Sequence, residues 1–281
     1  MIYWILNAIL GSIAWIFWKK SLNLSTIPHA LFFGIGGIGS ILVILFILWM
    51  GKFELPKELW ILAIPLIDAF VVTYNSTLSQ KIYTTEKIST LLPYENLSSI
   101  ITIIIAYFLF RDTPITTLLI ALSIIIIIFI FSFDFRTHEF PRQFWPIVLN
   151  NTINGVRSIG IWYVLVHMSS PTFYTIRNIL TTIIVWIGIL LASQLIFLKD
   201  VKKDFLVPRL MASFIGAVSA LIGFTLISQF GLITSTLLGF LSMLSTVILG
   251  YLFLADKPEK KNILLAISVA ILVACSSFFK A

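Results

Sequence analysis

Two stretches decide how this chain is read: Tyr107–Pro114, YFLFRDTP, and Tyr251–Pro258, YLFLADKP. Each closes one long apolar run and opens another, and they lie 144 residues apart. At the same shift Asn7 falls on Asn151, Gly11 on Gly155 and Trp18 on Trp162. Ile and Leu coincide often between apolar sequences, so the Trp, Asn and D-x-P matches carry the weight. A chain that repeats itself at half its length, with five apolar segments per copy, has the form of a duplication. Five is odd, so the second copy enters a bilayer upside down relative to the first. Inverted repeats of this kind place a binding site between the halves. The expected fold is an all-α membrane protein with ten transmembrane helices in two inverted five-helix repeats, residues 1–137 and 138–281.

Composition points the same way. Of 281 residues, 59% are hydrophobic and 11% charged, against about a quarter charged in a soluble domain, too few to cover a water-facing surface. A span takes about 20 apolar residues. Such segments are read near 2–18, 28–50, 59–79, 88–110, 114–133, 143–166, 171–197, 206–228, 232–255 and 262–279. Their short connections leave no mass for a globular catalytic domain, so no enzyme is expected. The first segment has neither a basic leader nor a small-residue cleavage site and is expected to be a retained helix. A single cysteine, Cys275, excludes an internal disulfide, and His29, His138 and His167 are too scattered for a metal site. Gly34, Gly36, Gly37 and Gly39 follow no strand, so they suit close helix packing better than a nucleotide loop. No cofactor is expected. The net charge of +7 belongs to helix ends at lipid headgroups, and no basic face interleaved with aromatics points to nucleic acid. Trp4, Trp49, Trp60 and Trp145 sit near segment ends as interface anchors.

Ionisable groups inside a span are costly and face a partner or a wet cavity. Four stand out: Asp68 in the third segment, Glu95 in the fourth, Arg157 in the sixth and Arg177 in the seventh. The simplest reading is mutual neutralisation across the repeat interface. Their neighbours point further. Asp68, Asn75 and Ser79 share a helical face, flanked by Tyr74 and Ser76. The sixth segment holds Asn150, Asn151, Asn154, Arg157 and Ser158, with Trp162 four residues on, and the seventh adds Asn178, Thr181 and Thr182. In the fourth, Pro93 precedes Tyr94, Glu95 and Asn96, and a proline there frees a backbone carbonyl. Each Asn or Thr alone could be an interhelical hydrogen bond. Four polar stripes together read as the lining of a central pocket, with Trp15, Trp18 and Trp162 available as aromatic walls. The candidate binding residues are Asp68, Tyr74, Asn75, Tyr94, Glu95, Asn151, Asn154, Arg157, Trp162, Arg177 and Asn178.

Ten short-looped helices in two halves, each ending its fourth helix in an acidic-x-Pro step, resemble the EamA-like carriers of the drug/metabolite transporter superfamily. The family's fourth helix has an internal proline and closes in Gly-Glu-x-Pro. Here the fourth segment has Pro93, Asp112 and Pro114, and the ninth has Gly250, Asp256 and Pro258 but Leu237 where Pro93's counterpart falls. Asp112 and Asp256 themselves read as caps of the helix each proline begins. The resemblance implies a multi-pass carrier of the plasma (inner) membrane that moves amino acids, other metabolites, nucleotide sugars or drugs by export or proton-coupled exchange. It also implies cytoplasmic termini.

Together these readings give a secondary active transporter for a small polar metabolite, an amino acid or an organic anion, with the proton as candidate coupling ion and Glu95 as its carrier. An organic-cation exporter is the alternative, and a non-transporting membrane protein a further one; Arg157 argues against a cation. Charge and family custom disagree on orientation. The loops on one side hold Lys81, Lys87, Arg136, Arg142, Lys199, Lys202, Lys203, Arg209, Lys257, Lys260 and Lys261, with Lys19 and Lys20 at the end of the first segment. The other side, with both termini, has Lys52, Lys57, Arg111 and Lys280. The positive-inside rule therefore puts the termini outside, against the family custom.

Overall fold

The computed structural model of the chain describes residues 2–85, 94, 97–110, 114–133, 140, 143–239 and 241–254, with isolated positions at 260, 263–264, 267–268 and 271. All regular structure among them is helical. The helices are α1 (Ile2–Leu24), α2 (His29–Trp49), α3 (Ala63–Thr85), α4 (Leu97–Phe110), α5 (Ile115–Ser132), α6 (Phe144–His167), α7 (Ser170–Leu191), α8 (Lys203–Phe230), α9 (Leu232–Gly239) and α10 (Leu241–Leu254). Short 3-10 turns at Leu59–Leu62 and Gln194–Asp200 precede α3 and α8. Most of the tenth apolar segment, with Cys275, lies outside the described residues, as do Asp112 and Asp256.

Five helical stretches are long and apolar enough to cross a membrane: α1, α2, Leu59–Thr84, α7 and α8, of 21 to 28 residues. The described part of α4, and α5, are shorter apolar helices. At 24 residues α6 has the length, but Asn150, Asn151, Asn154 and Arg157 dilute its hydropathy. Apolar side chains such as Leu42, Leu45, Phe46, Ile126 and Ile183 remain exposed along these helices, the surface expected of a multi-pass membrane protein.

Helix ends differ from the hydropathy boundaries for local reasons. α1 runs on to Leu24 because Lys19, which closes the apolar run, turns inward and donates through Nζ to the Tyr83 carbonyl. Lys19 is thus a buried residue of α1 and belongs to no loop. α7 stops at Leu191, six residues early, where Ser193 takes a left-handed conformation (φ 53°, ψ 30°) that no α-helix can continue through. α8 begins at Lys203 and carries Pro208 and Arg209 inside it.

Packing follows the repeat. α1 lies against α8 and α10, α6 against α3 and α4, and α2 and α7 pack on each other, α2 also on α8 and α7 on α3. Replacing each helix by the one 144 residues on leaves this set of pairs unchanged: α1 with α8 becomes α6 with α3, and α1 with α10 becomes α6 with α4. The equivalent threonines of α4 and α10 also both reach across to the facing helix, though to different groups. Thr102 Oγ1 in α4 donates to the Gly155 carbonyl of α6 at 3.1 Å, and Thr246 Oγ1 in α10 meets Ser12 Oγ of α1 at 2.8 Å.

Apolar clusters close the two ends of the bundle. At one end Trp18 packs edge-on to Tyr83 and Phe32, and Phe32 lies against Phe205. At the other Phe173 packs on Phe224, and Ile44, Ile161 and Val164 join them. Phe32 and Phe173 are wholly buried, the kind of site where truncation to alanine costs about 3–5 kcal/mol.

Glycine sets the closest approaches. A Cβ on Gly155 would stand 2.9 Å from the Ser98 carbonyl of α4, and one on Gly39 2.6 Å from Ser213 Cβ of α8. These crossings exist because no side chain intervenes. A Cβ on Gly188 would meet nothing. Gly155→Ala is therefore expected to lower the unfolding temperature in detergent, by overpacking worth about 1–3 kcal/mol. Gly188→Ala should leave it unchanged or raise it through better helix propensity, about 1 kcal/mol at most.

Candidate functional site

Between the two apolar ends lies a cavity of about 630 Å³, lined by residues of α1, α2, α3, α4, α6, α7 and α8. Its walls have distinct chemistry. α2 presents Gly34, Gly36 and Gly37, α1 contributes Trp15 and Trp18, and α3 contributes Ser76, Ser79, Gln80 and Tyr83. α6 brings Asn150, Asn151 and Asn154, α7 brings Arg177, Asn178, Thr181 and Thr182, and α8 brings Arg209, Ser213 and Ser219.

One carboxylate organises the polar side of this bundle. Asp68 in α3 is 5% exposed. Its Oδ1 accepts a hydrogen bond from Arg157 Nε of α6 at 2.5 Å, and its Oδ2 lies 2.8 Å from Arg177 Nε of α7, close enough for an ion pair but off the hydrogen-bond line. The guanidinium of Arg177 also sits 5.7 Å from the centroid of the Phe224 ring. A ladder of amides continues the α3–α6 seam. Asn75 Nδ2 donates to Asn154 Oδ1 at 2.8 Å, and Ser79 Oγ donates to Asn150 Oδ1 at 3.3 Å. Helical spacing explains this ladder: residues three, four and seven apart on each helix stack along one edge and meet their equals on the other. The cluster holds two cations and one anion, so it keeps an excess positive charge in a medium of low dielectric.

The sequence-derived candidates divide into four groups. Asn151, Asn154, Arg177 and Asn178 line the cavity. Asp68, Asn75 and Arg157 form the network against it. Tyr74, Tyr94 and Trp162 sit elsewhere. Tyr74 is 57% exposed, one residue and so about 100° of helix rotation away from the Asn75 face. Tyr94 is buried in an apolar cluster, edge-on to Phe144 at 5.8 Å. Trp162 packs on Phe110 at 4.6 Å, so of the Trp18 and Trp162 pair only Trp18 forms a cavity wall. Glu95, with Pro93 and Asn96, lies outside the described residues.

Among the lining residues that escaped the sequence reading, two are buried polar groups of particular weight. Gln80, 1% exposed, was hidden beside the Asn75–Ser79 stripe. Arg209 was counted among loop charges, yet it is buried two turns into α8. The signal for it was present: Arg209, Ser213, Gly216 and Ala220 recur at intervals of four, three and four, a small and polar face in an otherwise apolar helix.

No family model matches the chain, and neither does any curated protein. A solved crystal structure aligns with 97% of this chain and 96% of its own, with a TM-score of 0.66 and 15% identity. At that identity the likeness carries the fold alone.

Removing one partner of a buried ion network leaves an uncompensated charge, at a cost of about 3–5 kcal/mol. Asp68→Ala should therefore lower thermal stability strongly, whereas Tyr74→Ala should change it by about 0.5 kcal/mol or less. Equal effects in thermal unfolding of the purified variants would show that the Asp68 network does not form.

Proposed function

We propose that the chain is a secondary active transporter that moves a small polar metabolite through this cavity. The observation that carries the reading is the cavity itself. It carries arginines, amides and hydroxyls on its walls, measures about 630 Å³, lies between two apolar closures and draws its walls from both halves of the chain. That volume falls in the range of small-molecule sites. A structural bundle gains nothing from a space lined by two arginines and five amides, because unfilled polar surface in lipid is costly.

The proposed architecture is two inverted five-helix repeats, residues 1–137 and 138–281, in a plasma (inner) membrane. Its support is the 144-residue repeat, the exchange symmetry of the helix pairs and the cross-helix contacts made by the equivalent Thr102 and Thr246. Resemblance to the EamA-like carriers accords with it. Alternating access would then come from one half rocking against the other around a fixed site. Glu95 is the proposed proton carrier, by the sequence argument alone.

Inverted repeats make a sharp topological statement. Thr26 in the α1–α2 turn and Ser169 in the α6–α7 turn are near-equivalents in the two copies. With Cys275 replaced by Ala, Thr26→Cys and Ser169→Cys should label from opposite sides of the membrane with an impermeant maleimide. The charge bias of the loops places Thr26 in the cytoplasm and Ser169, with the termini, outside. Labelling of both from one side would end the inverted-repeat reading.

Transport is tested by a thermal-shift screen of purified protein against amino acids, sugar phosphates, nucleotide sugars and organic cations, followed by counterflow of the hit in proteoliposomes. A ligand at 100 times its Kd should stabilise the protein by about 2.7 kcal/mol. Arg157→Ala and Arg177→Ala are each expected to abolish counterflow while membrane insertion persists. Wild-type counterflow in both would reject a role for these arginines in solute binding.

A further inference from the structure

Arg209 is the one described cation on the cavity wall with neither a carboxylate partner nor a place in the Asp68 network. It is 5% exposed and lies two turns inside α8, across from α2. Its Nε donates to the Phe32 carbonyl at 3.0 Å, its Nη1 donates to Ser213 Oγ at 3.0 Å, and the guanidinium stacks 4.5 Å from the centroid of the Phe32 ring. These contacts hold the group in place and leave Nη2 and its two N–H donors without a partner among the described residues. Room for the guanidinium comes from Gly36, since a Cβ there would collide with it.

Two further observations bear on what such a group is for. The ionisable side chains on the cavity wall among the described residues that carry charge at neutral pH are Arg177 and Arg209, both cationic, and the single carboxylate behind Arg177 is shared with Arg157. The described interior thus carries three guanidiniums against one carboxylate. On the wall contributed by α3, Gln80, 1% exposed, has both its amide oxygen and its amide nitrogen without a partner among the described residues. A buried cation without a counter-charge and a buried amide with nothing to bind are each costly in a low-dielectric interior. One occupant meets both demands: a negative group for Arg209 and a hydrogen-bonding body for Gln80.

We propose that the cavity selects small organic anions, with Arg209 binding the solute's carboxylate or phosphate by charge-assisted hydrogen bonds and Gln80 engaging its polar body. The proposal rests on the carrier reading and narrows it, excluding cations as solutes. Arginine suits the role because its planar fork matches carboxylate and phosphate oxygens, and because Phe32 and Ser213 have already fixed its orientation.

The test needs no knowledge of the natural solute. Ser40 lines the cavity one helical turn beyond Gly36, and Ser40→Cys in a Cys275→Ala background gives a single, nearly isosteric thiol. Its modification rates are measured in proteoliposomes with two methanethiosulfonates of similar size, one carrying a sulfonate and one a trimethylammonium. The anionic reagent should react faster. Arg209→Gln should lower the anion-to-cation rate ratio by about tenfold or more, as expected for loss of a unit charge within a partly desolvated site. Arg209→Lys, which keeps the charge, should hold the ratio near its starting value.

Preference for the cationic reagent, or an equal fall in both Arg209 variants, overturns the anion assignment and leaves the carrier reading standing. If neither reagent reaches the thiol from either face of the membrane, although thermal unfolding shows an intact fold, the cavity is sealed. The carrier reading then falls, and the anion assignment with it.

Discussion

Asp68 facing two arginines is the constraint around which the rest of this bundle is arranged. In water such a triad would be worth little; inside a helix bundle in lipid, each member fixes the position of the others because no alternative solvation exists. α3, α6 and α7 are therefore tied at one point. The Asn75–Asn154 and Ser79–Asn150 bonds then follow along the α3–α6 seam. Once that seam is polar, the space beside it stays open, and the apolar residues close the bundle only at its ends.

The two halves do not share this feature. The positions 144 residues from Asp68, Arg157 and Arg177 are Ala212, Ile13 and Phe33. Positions 144 residues apart thus differ in charge, while the helices that carry them keep the same pattern of contacts. Backbone packing is preserved because it depends on small residues and crossing points such as Gly155 and Thr102. Side chains lining the cavity are freer to change, since they touch space and not a neighbouring helix.

Much of this was legible in the sequence, and the exceptions have physical causes. The all-helical, membrane-like character came through, and so did helix boundaries wherever apolar runs end in polar turns. They shifted where hydropathy and hydrogen bonding part company, as at Lys19, a charged residue that stays in α1 by turning inward. The Asp68–Arg157–Arg177 network was visible because ionisable groups in a span demand partners. Tyr74 and Trp162 misled because aromatics suit a pocket wall, a lipid face and a helix contact equally, and only rotation about the helix axis separates them. Arg209 was obscured by its nearness to a loop, since one-dimensional counting assigns any charge close to a segment end to the water.

The bare backbone of α2 at Gly34, Gly36 and Gly37 has a consequence for how this protein can change. A wall without side chains has a shape set by what faces it, and every glycine codon is a single nucleotide away from one for alanine. Each of these positions is thus an evolutionary dial. One methyl group at Gly37 would press on Thr182, and one at Gly36 would shift the guanidinium of Arg209, re-cutting the cavity while leaving the helix that bears it intact. A lineage carrying this scaffold can reshape that space by single steps, without first dismantling the membrane fold that holds it.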